Sequence, residues 1–447
     1  MRKLSVRHAR HLRVLSRRWQ RRFIFMAGGL VVGAGAVVLA LLADKAQQVF
    51  RGLLGVSPEI AFVVTPLGFG LVTYLTNAYF PYTGGSGIPQ VMAARHLKDS
   101  SQRATFVGFR PAVGKLFLTL FGLLVGASIG REGPTVQIGA SIMFLIGRLS
   151  PRRQSGLILA GAAAGVAAAF NTPLAGIVFA IEEMGRGFEV RTSGLIIGAI
   201  ILAGLTSLAV FGNYAYFGTS AAVLHSPRDW IVVPVCGIVG GLAGGLFSRA
   251  LVVAALGLVG RGGNWLRTHP ILFGVGCGLV VAICGFASDG AIYGTGYAQA
   301  KMVVQSDGAL PLLYAPLKFI ATVASSISGL PGGLFSPSLS VGAGLGADIA
   351  RLFPSTPMSA VVLLGMVGYF TGVVQAPITA FVIVSEMTDN HNLLIPLMAT
   401  AVIADAVSKL VSRDGVYHLL AIKYDRVHHP HATARLANVP PASRAGI

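Results

Sequence analysis

Lys115–Ala140 reads KLFLTLFGLLVGASIGREGPTVQIGA, and Lys318–Ala343 reads KFIATVASSISGLPGGLFSPSLSVGA. Laid over each other at an offset of 203, the two stretches are identical at seven of 26 positions, where a Gly- and Ala-rich composition gives roughly two. The matches include Lys115 with Lys318, Gly130 with Gly333, Pro134 with Pro337, and Gly139-Ala140 with Gly342-Ala343. With one residue added the register continues, and Pro173–Glu182, PLAGIVFAIE, falls over Pro377–Glu386, PITAFVIVSE. A repeat of such long period divides the chain into two related halves. We place them at about 23–225 and 226–425, inside one domain, with a basic segment 1–22 before them and a tail 426–447 after them. Whether the halves are parallel or inverted is left open by the residues alone.

Outward from the repeat, the composition sets the medium. Of 447 residues 54% are hydrophobic and only 11% charged, and the mean hydropathy is +0.72. Soluble domains carry about 25% charged residues. Apolar runs recur at Phe23–Ala43, Glu59–Thr76, Val113–Ile129, Leu157–Ile181, Ile231–Val259, Ile271–Ala287 and Leu393–Leu410. Each approaches the length of roughly 20 residues that crosses a hydrocarbon core. The fold class is therefore an all-α integral membrane protein. The 58 glycines, about twice the usual ~7%, allow close helix approach and helix breaks inside the protein.

The charge of +19 is unevenly placed, with nine Lys or Arg and no acid in the first 22 residues. This fits the positive-inside rule and attraction to anionic lipid better than a nucleic-acid-binding arm. The loops 95–110 and 148–153 and the tail from Lys423 are also basic, whereas Gly212–Ser226 holds no Lys or Arg and should face outward. Both termini are thus expected in the cytoplasm, with an even number of crossings of the inner (plasma) membrane and no nucleic-acid partner. No cleaved signal peptide is evident, and the tail from Val427 reads as disordered. Cys236, Cys277 and Cys284 lack metal-ligand spacing and read as small core residues. No metal or cofactor is expected.

Three short segments interrupt apolar surroundings: Gly84–Pro89 (GGSGIP), Gly130–Pro134 (GREGP) and Gly332–Pro337 (GGLFSP). Each sets glycines beside a Pro and leads into an apolar helical run. Proline suits the first helical turn, and glycine lets the preceding amides turn freely. Each segment is a candidate helix N-terminus within the membrane, with free N–H groups and a positive dipole end. Several such ends together bind an anion without a full positive charge, and so without holding it too tightly for transport.

In this order and at these separations, GSGIP, GREGP and GGLFSP resemble the signature segments of the CLC family of chloride channels and proton-coupled chloride transporters. The resemblance runs from about Gly84 to Tyr417. It implies two inverted halves with tilted, partly re-entrant helices, and a homodimer with one pathway per subunit. It makes Ser86 the serine whose hydroxyl touches the anion, in the Gly87-Ile88 helix start, and gives the N–H groups of Leu334 and Phe335 to the same ion. Tyr417 resembles the tyrosine that closes the site from the cytoplasm. Relatives with Pro at the position of Ser86 favour nitrate and fluoride exporters carry another residue, so Ser86 implies chloride. Gln90 is a departure, since Glu often follows GSGIP. The sequence runs about 30 residues past Tyr417, so the paired cytoplasmic CBS modules of many relatives are not expected.

Glu132 is an isolated acid in an apolar run, which is costly and a functional candidate by default. Its neighbour Arg131 should point away from it. Ionised, the carboxylate can imitate chloride at the helix termini; protonated, it can leave and admit chloride, as the family's external gating glutamate does. By resemblance, Glu183 in AFNTPLAGIVFAIEEM (Ala169–Met184) matches the exchangers' internal proton-transfer glutamate, with Glu182 as its relay neighbour. A plain reading of that pair is a helix-end acid pair partnered by Arg186. Glu386, its repeat equivalent, reads as structural, and Lys115 and Lys318 as either field-tuning or anchoring. The function expected is proton/chloride exchange. The alternative is a passive voltage- or pH-gated chloride channel, against which Glu183 speaks. An enzyme is disfavoured by the lack of a nucleotide loop, a metal-ligand cluster or a Ser/His/Asp arrangement.

Overall fold

The structure, a computed structural model, describes residues 2–184, 193–212, 214–256, 268–306 and 308–428. Among the described residues all regular structure is helical. The first half contributes α1 (Arg2–Val56), α2 (Ala61–Ala78), α3 (Ile88–His96), α4 (Ser100–Val107), α5 (Phe109–Leu124), α6 (Glu132–Gly147), α7 (Gln154–Phe170), α8 (Pro173–Glu182) and α9 (Ser193–Phe211). The second contributes α10 (Val232–Leu256), α11 (Pro270–Ala287), α12 (Tyr297–Val304), α13 (Tyr314–Ile327), α14 (Phe335–Ala350), α15 (Met358–Val374), α16 (Pro377–Thr388) and α17 (Leu394–Val411), and α18 (Val416–His428) closes the chain. Seven helical segments among the described residues are long and apolar enough to cross a membrane. Their outward faces carry residues such as Leu30, Val38, Leu67, Leu205, Leu246, Leu272 and Val402, all exposed. In a bilayer these faces meet lipid.

The two halves are inverted about a two-fold axis, and particular bonds place that axis. Gly130 and Gly333, equivalent in the repeat, exchange both backbone hydrogen bonds: Gly130 N–H donates to Gly333 C=O at 2.8 Å, and Gly333 N–H to Gly130 C=O at 2.7 Å. The axis passes between them, and α6 and α14 each begin two residues later. The same symmetry recurs at α8 and α16. Glu182, at the end of α8, accepts from the amides of Ile378 and Thr379 at 3.0 and 2.6 Å, and Glu386 on α16 accepts from Leu174 and Ala175 at 3.1 and 2.8 Å. Each helix thus caps the other's start with its own end, which requires them to lie antiparallel. Carboxylates at helix N-termini satisfy amides that have no partner inside the helix.

Small residues let this arrangement close. A Cβ on Gly139 would sit 2.4 Å from the Gly161 carbonyl oxygen, and the equivalent Gly342 would meet the Gly365 oxygen at 2.7 Å. The helix pairs α6–α7 and α14–α15 therefore touch backbone to backbone at matching points. The α7 and α15 helices are buried almost throughout, so the centre of the molecule is helical protein, surrounded by helices with one face to lipid. Cys236, Cys277 and Cys284 are free and buried.

One expected crossing is corrected. Leu157–Ile181 does not form a single span: α7 ends at Phe170 with Asn171 in the left-handed region (φ 57°), and α8 restarts at Pro173. Asn tolerates that conformation, and Pro lacks the N–H an uninterrupted helix needs. Gln375 (φ 58°) before Pro377 repeats the break in the second half. Residues 2–22 continue α1 as helix. Arg186 and the tail from residue 429 lie outside the described residues.

Gly365→Ala should be poorly tolerated, because its Cβ would lie 2.6 Å from the Gly342 oxygen. The expected cost is about 1–3 kcal/mol, typical of overpacking, read as a lower midpoint of thermal unfolding in detergent. Gly161→Ala should lose a comparable amount.

Candidate functional site

The three glycine-proline segments end up side by side. Gly85 N–H donates to the Leu330 carbonyl and Gly332 N–H to the Gly85 carbonyl, both at 3.0 Å, which lays the loop before α3 along the loop before α14. The Gly130–Gly333 pair ties in the loop before α6. The N-termini of α3, α6 and α14 therefore meet near the two-fold axis, inside the molecule. Gly87, at φ 100°, takes a backbone conformation that side chains rarely adopt. At Gly133 a Cβ would lie 2.5 Å from both the carbonyl and the hydroxyl oxygen of Ser86, so the start of α6 rests directly on Ser86.

Of the residues expected to hold an anion, Ser86, Gly87, Ile88, Leu334, Phe335 and Tyr417 are all buried. The Phe335 and Tyr417 rings lie 6.0 Å apart, and the Tyr417 hydroxyl lies close to Ser86. Neither the Ser86 nor the Tyr417 hydroxyl has a hydrogen-bond partner among the described residues. No backbone hydrogen bond among those residues engages the Leu334 or Phe335 amide. Buried hydroxyls and amides without partners are costly, and such donors suit an anion. A cavity of about 470 Å³ opens onto this point, lined among others by Tyr82, Ser86, Gln90, Leu334, Leu420 and Tyr424.

The scaffold behind the loop is polar and built on buried side chains. Buried Lys115 donates to the carbonyls of Thr83 and Gly85, each at 2.6 Å. Lys318 does the same for Ile292 and Gly294 at 2.8 Å. Both lysines are thus anchors, which resolves the choice between anchoring and field-tuning in favour of the former as their direct contact. Gln90 explains the departure from the family pattern. Its amide nitrogen donates to the carbonyls of Tyr82 and Gly84 and meets the Tyr424 hydroxyl, a set that an ionised Glu cannot serve because it only accepts. In the second half Thr295 stands where the first has Ser86, but Gln47 covers it: the Gln47 oxygen accepts from both the Thr295 amide and its hydroxyl. Only one of the two equivalent loops leaves its hydroxyl open.

Glu132 is fully buried at the start of α6. Its carboxylate accepts a short hydrogen bond from the Ser336 hydroxyl and a longer one, 3.5 Å, from the Ser336 amide. It therefore occupies the N-terminus of α14 in the manner of an anion. Arg131 turns away, as adjacent helical residues do, and donates to Asp44 and the Ala40 carbonyl. Ser336 has no local sequence signal beyond its place in GGLFSP; its position opposite Glu132, 204 residues away, follows only from the two-fold.

The acid pair at the end of α8 divides. Glu182 is committed to the α16 cap and also accepts from the Thr379 hydroxyl at 2.7 Å. Glu183 has no hydrogen bond or ion pair among the described residues. The Tyr417 hydroxyl is within electrostatic reach of both Glu132 and Glu183, although the two carboxylates do not touch.

The comparisons agree with this architecture. Residues 68–409 match the family model described as voltage gated chloride channel. The H(+)/Cl(-) exchange transporter ClcA of Yersinia pestis bv. Antiqua (strain Angola) is 31% identical over 450 residues, covering 92% of this chain and 90% of the relative. The ClcA of Yersinia pseudotuberculosis serotype IB (strain PB1/+) matches equally well. Among solved structures, a slow cyanobacterial Cl-/H+ antiporter superposes with a TM-score of 0.76 at 23% identity, over 90% of this chain and 97% of that one. A CLC-type fluoride/proton antiporter gives 0.75 at 23% identity over the same shares.

Glu182→Gln should weaken its cap and lower the unfolding midpoint in detergent, by the equivalent of about 1 kcal/mol. Glu386→Gln, its two-fold equivalent, should cost about as much.

Proposed function

From the premise that the chain belongs to the voltage gated chloride channel family, the CLC proteins, we propose that it exchanges chloride for protons across the membrane, with Glu132 as gate and proton carrier. The observation that carries this reading is the seat of the Glu132 carboxylate on the amide and hydroxyl of Ser336. A helix N-terminus attracts any anion, so carboxylate and chloride compete for one place. Protonation removes the negative charge that holds Glu132 there. The side chain leaves, and chloride takes the vacated dipole end together with the donors of Ser86, Leu334, Phe335 and Tyr417. Chloride leaving on one side lets the ionised carboxylate return. A proton and a chloride then move in opposite senses because each excludes the other's carrier state.

Glu183 serves as the inner proton station in this scheme. It stands beside Glu182, whose carboxylate is held by the amides of Ile378 and Thr379 in the α16 cap. The free Ser86 hydroxyl supports chloride as the anion, and the exchanger named among the relatives at 31% identity supports proton coupling. The protein works as a homodimer with one pathway per subunit, in the inner (plasma) membrane. Both termini are cytoplasmic, with the basic segment 1–22 on that side. The membrane domain comprises the halves 23–225 and 226–425.

Purified protein in liposomes, with a chloride gradient, no pH gradient and the voltage clamped by valinomycin, tests the scheme. Chloride flowing downhill should drive protons the opposite way, against the gradient they build. Chloride flux without proton movement would make the protein a channel and leave Glu183 without its role. Two variants separate the stations. Glu132→Gln should pass chloride with proton movement reduced to that of protein-free liposomes, and Glu183→Gln should keep chloride flux while losing proton movement.

A further inference from the structure

A second tyrosine lies near the gate. Tyr216 is 2% exposed, and its hydroxyl has no hydrogen-bond partner among the described residues. It lies beside Ser336 and within electrostatic reach of Glu132 and Arg131. Its ring stands edge-on to Phe170 at 5.5 Å, and Phe170 stacks on Phe335 at 6.0 Å. Phe335 in turn contacts Tyr417, so one row of rings joins the two phenols across the site.

The segment that carries Tyr216 is firmly held. Asn171 donates to the Tyr214 carbonyl at 3.0 Å and the Tyr297 hydroxyl to the Tyr216 carbonyl at 2.8 Å. The amides of Phe217 and Ser220 donate to Met387 and Thr388, both at 2.9 Å, and Asn390 donates to the Ala222 carbonyl at 3.1 Å. These bonds keep the phenol in place without using its O–H.

We propose that Tyr216 is an anion ligand: when Glu132 leaves the α14 N-terminus, the Tyr216 hydroxyl donates its proton to the chloride that takes that place. This deepens the reading given under Proposed function and rests on it. A buried donor with no partner is costly, and a halide on the Ser336 amide supplies the missing acceptor. While the carboxylate is seated, the Ser336 hydroxyl already serves it, and the phenol makes no hydrogen bond of normal geometry. The pathway then has a tyrosine at each end, one beside Ser86 and one beside Ser336. Neutral O–H donors at both ends bind the ion weakly enough to release it.

The test is a chloride titration by calorimetry on four purified proteins: wild type, Tyr216→Phe, Glu132→Gln and the double variant. Phenylalanine keeps the ring contacts and removes only the hydroxyl. In the Glu132→Gln background the Tyr216→Phe change should weaken chloride binding about tenfold, the scale of one hydrogen bond to a charged partner. With Glu132 in place the same change should leave affinity within experimental error. Equal affinities with and without the hydroxyl in the Glu132→Gln background would overturn the assignment, as would an equal loss in both backgrounds, which marks a merely structural role. Failure of wild type and Glu132→Gln alike to bind chloride would instead overturn the reading of the site on which the assignment rests. Bromide, located by its anomalous scattering in crystals of the Glu132→Gln protein, gives a second readout. It should lie within hydrogen-bonding distance of the Tyr216 hydroxyl, and bromide at the α14 N-terminus beyond that distance would also overturn the assignment.

Discussion

The exchange of hydrogen bonds between Gly130 and Gly333 is the constraint on which the rest of the structure depends. Two equivalent backbones that exchange both bonds run antiparallel, and at this point they lie too close for a side chain. A Cβ on Gly333 would meet the Gly133 amide at 2.8 Å. Once the pair forms, α6 and α14 must both begin at the centre of the molecule rather than at its surface. Their first-turn amides are then buried, far from the water that satisfies helix ends elsewhere. An anion, or a carboxylate in its stead, is what such a place lacks.

Function arises where the two-fold fails. Glu132 of the first half is equivalent to Phe335 of the second, and Gly133 to Ser336. One half supplies the charge, the other supplies the hydroxyl that receives it, and the reverse pairing does not exist. The same holds for the α3 and α12 loops. Both are pinned by a buried lysine on two carbonyls, but Gln47 occupies Thr295 while nothing in the described residues occupies the Ser86 hydroxyl. Symmetric scaffolding with asymmetric lining yields one site on the axis region instead of two copies of it.

The buried charges divide by the same logic. Lys115, Lys318, Glu182 and Glu386 sit in matched pairs, each saturated by backbone groups, and such groups hold segments together because releasing them would strand a charge. Glu132 and Glu183 have no equivalents of their own kind. One is held by a single residue and the other by none among those described. A group that must move or change its protonation state cannot also be a saturated anchor, which is why the unpaired acids stand out from the paired ones.

Much of this was legible in the residues themselves. The apolar runs fix a helical membrane protein because a backbone in lipid must satisfy its own hydrogen bonds. The offset repeat fixes two halves, and glycines beside prolines mark three interior helix starts. Glu132 is conspicuous because an acid in an apolar run has no cheap structural reason to be there. Other features needed the tertiary structure, since they join residues far apart in the sequence. Ser336 as the seat of Glu132, the crossed caps of Glu182 and Glu386, and Tyr216 beside the gate have no local signal. The break at Asn171 lay inside a run whose hydropathy alone suggested one span. Hydropathy and turn chemistry act over a few residues and can be read along the chain. Which helix end meets which carboxylate is set by how two inverted halves close on each other, and only the folded molecule decides that.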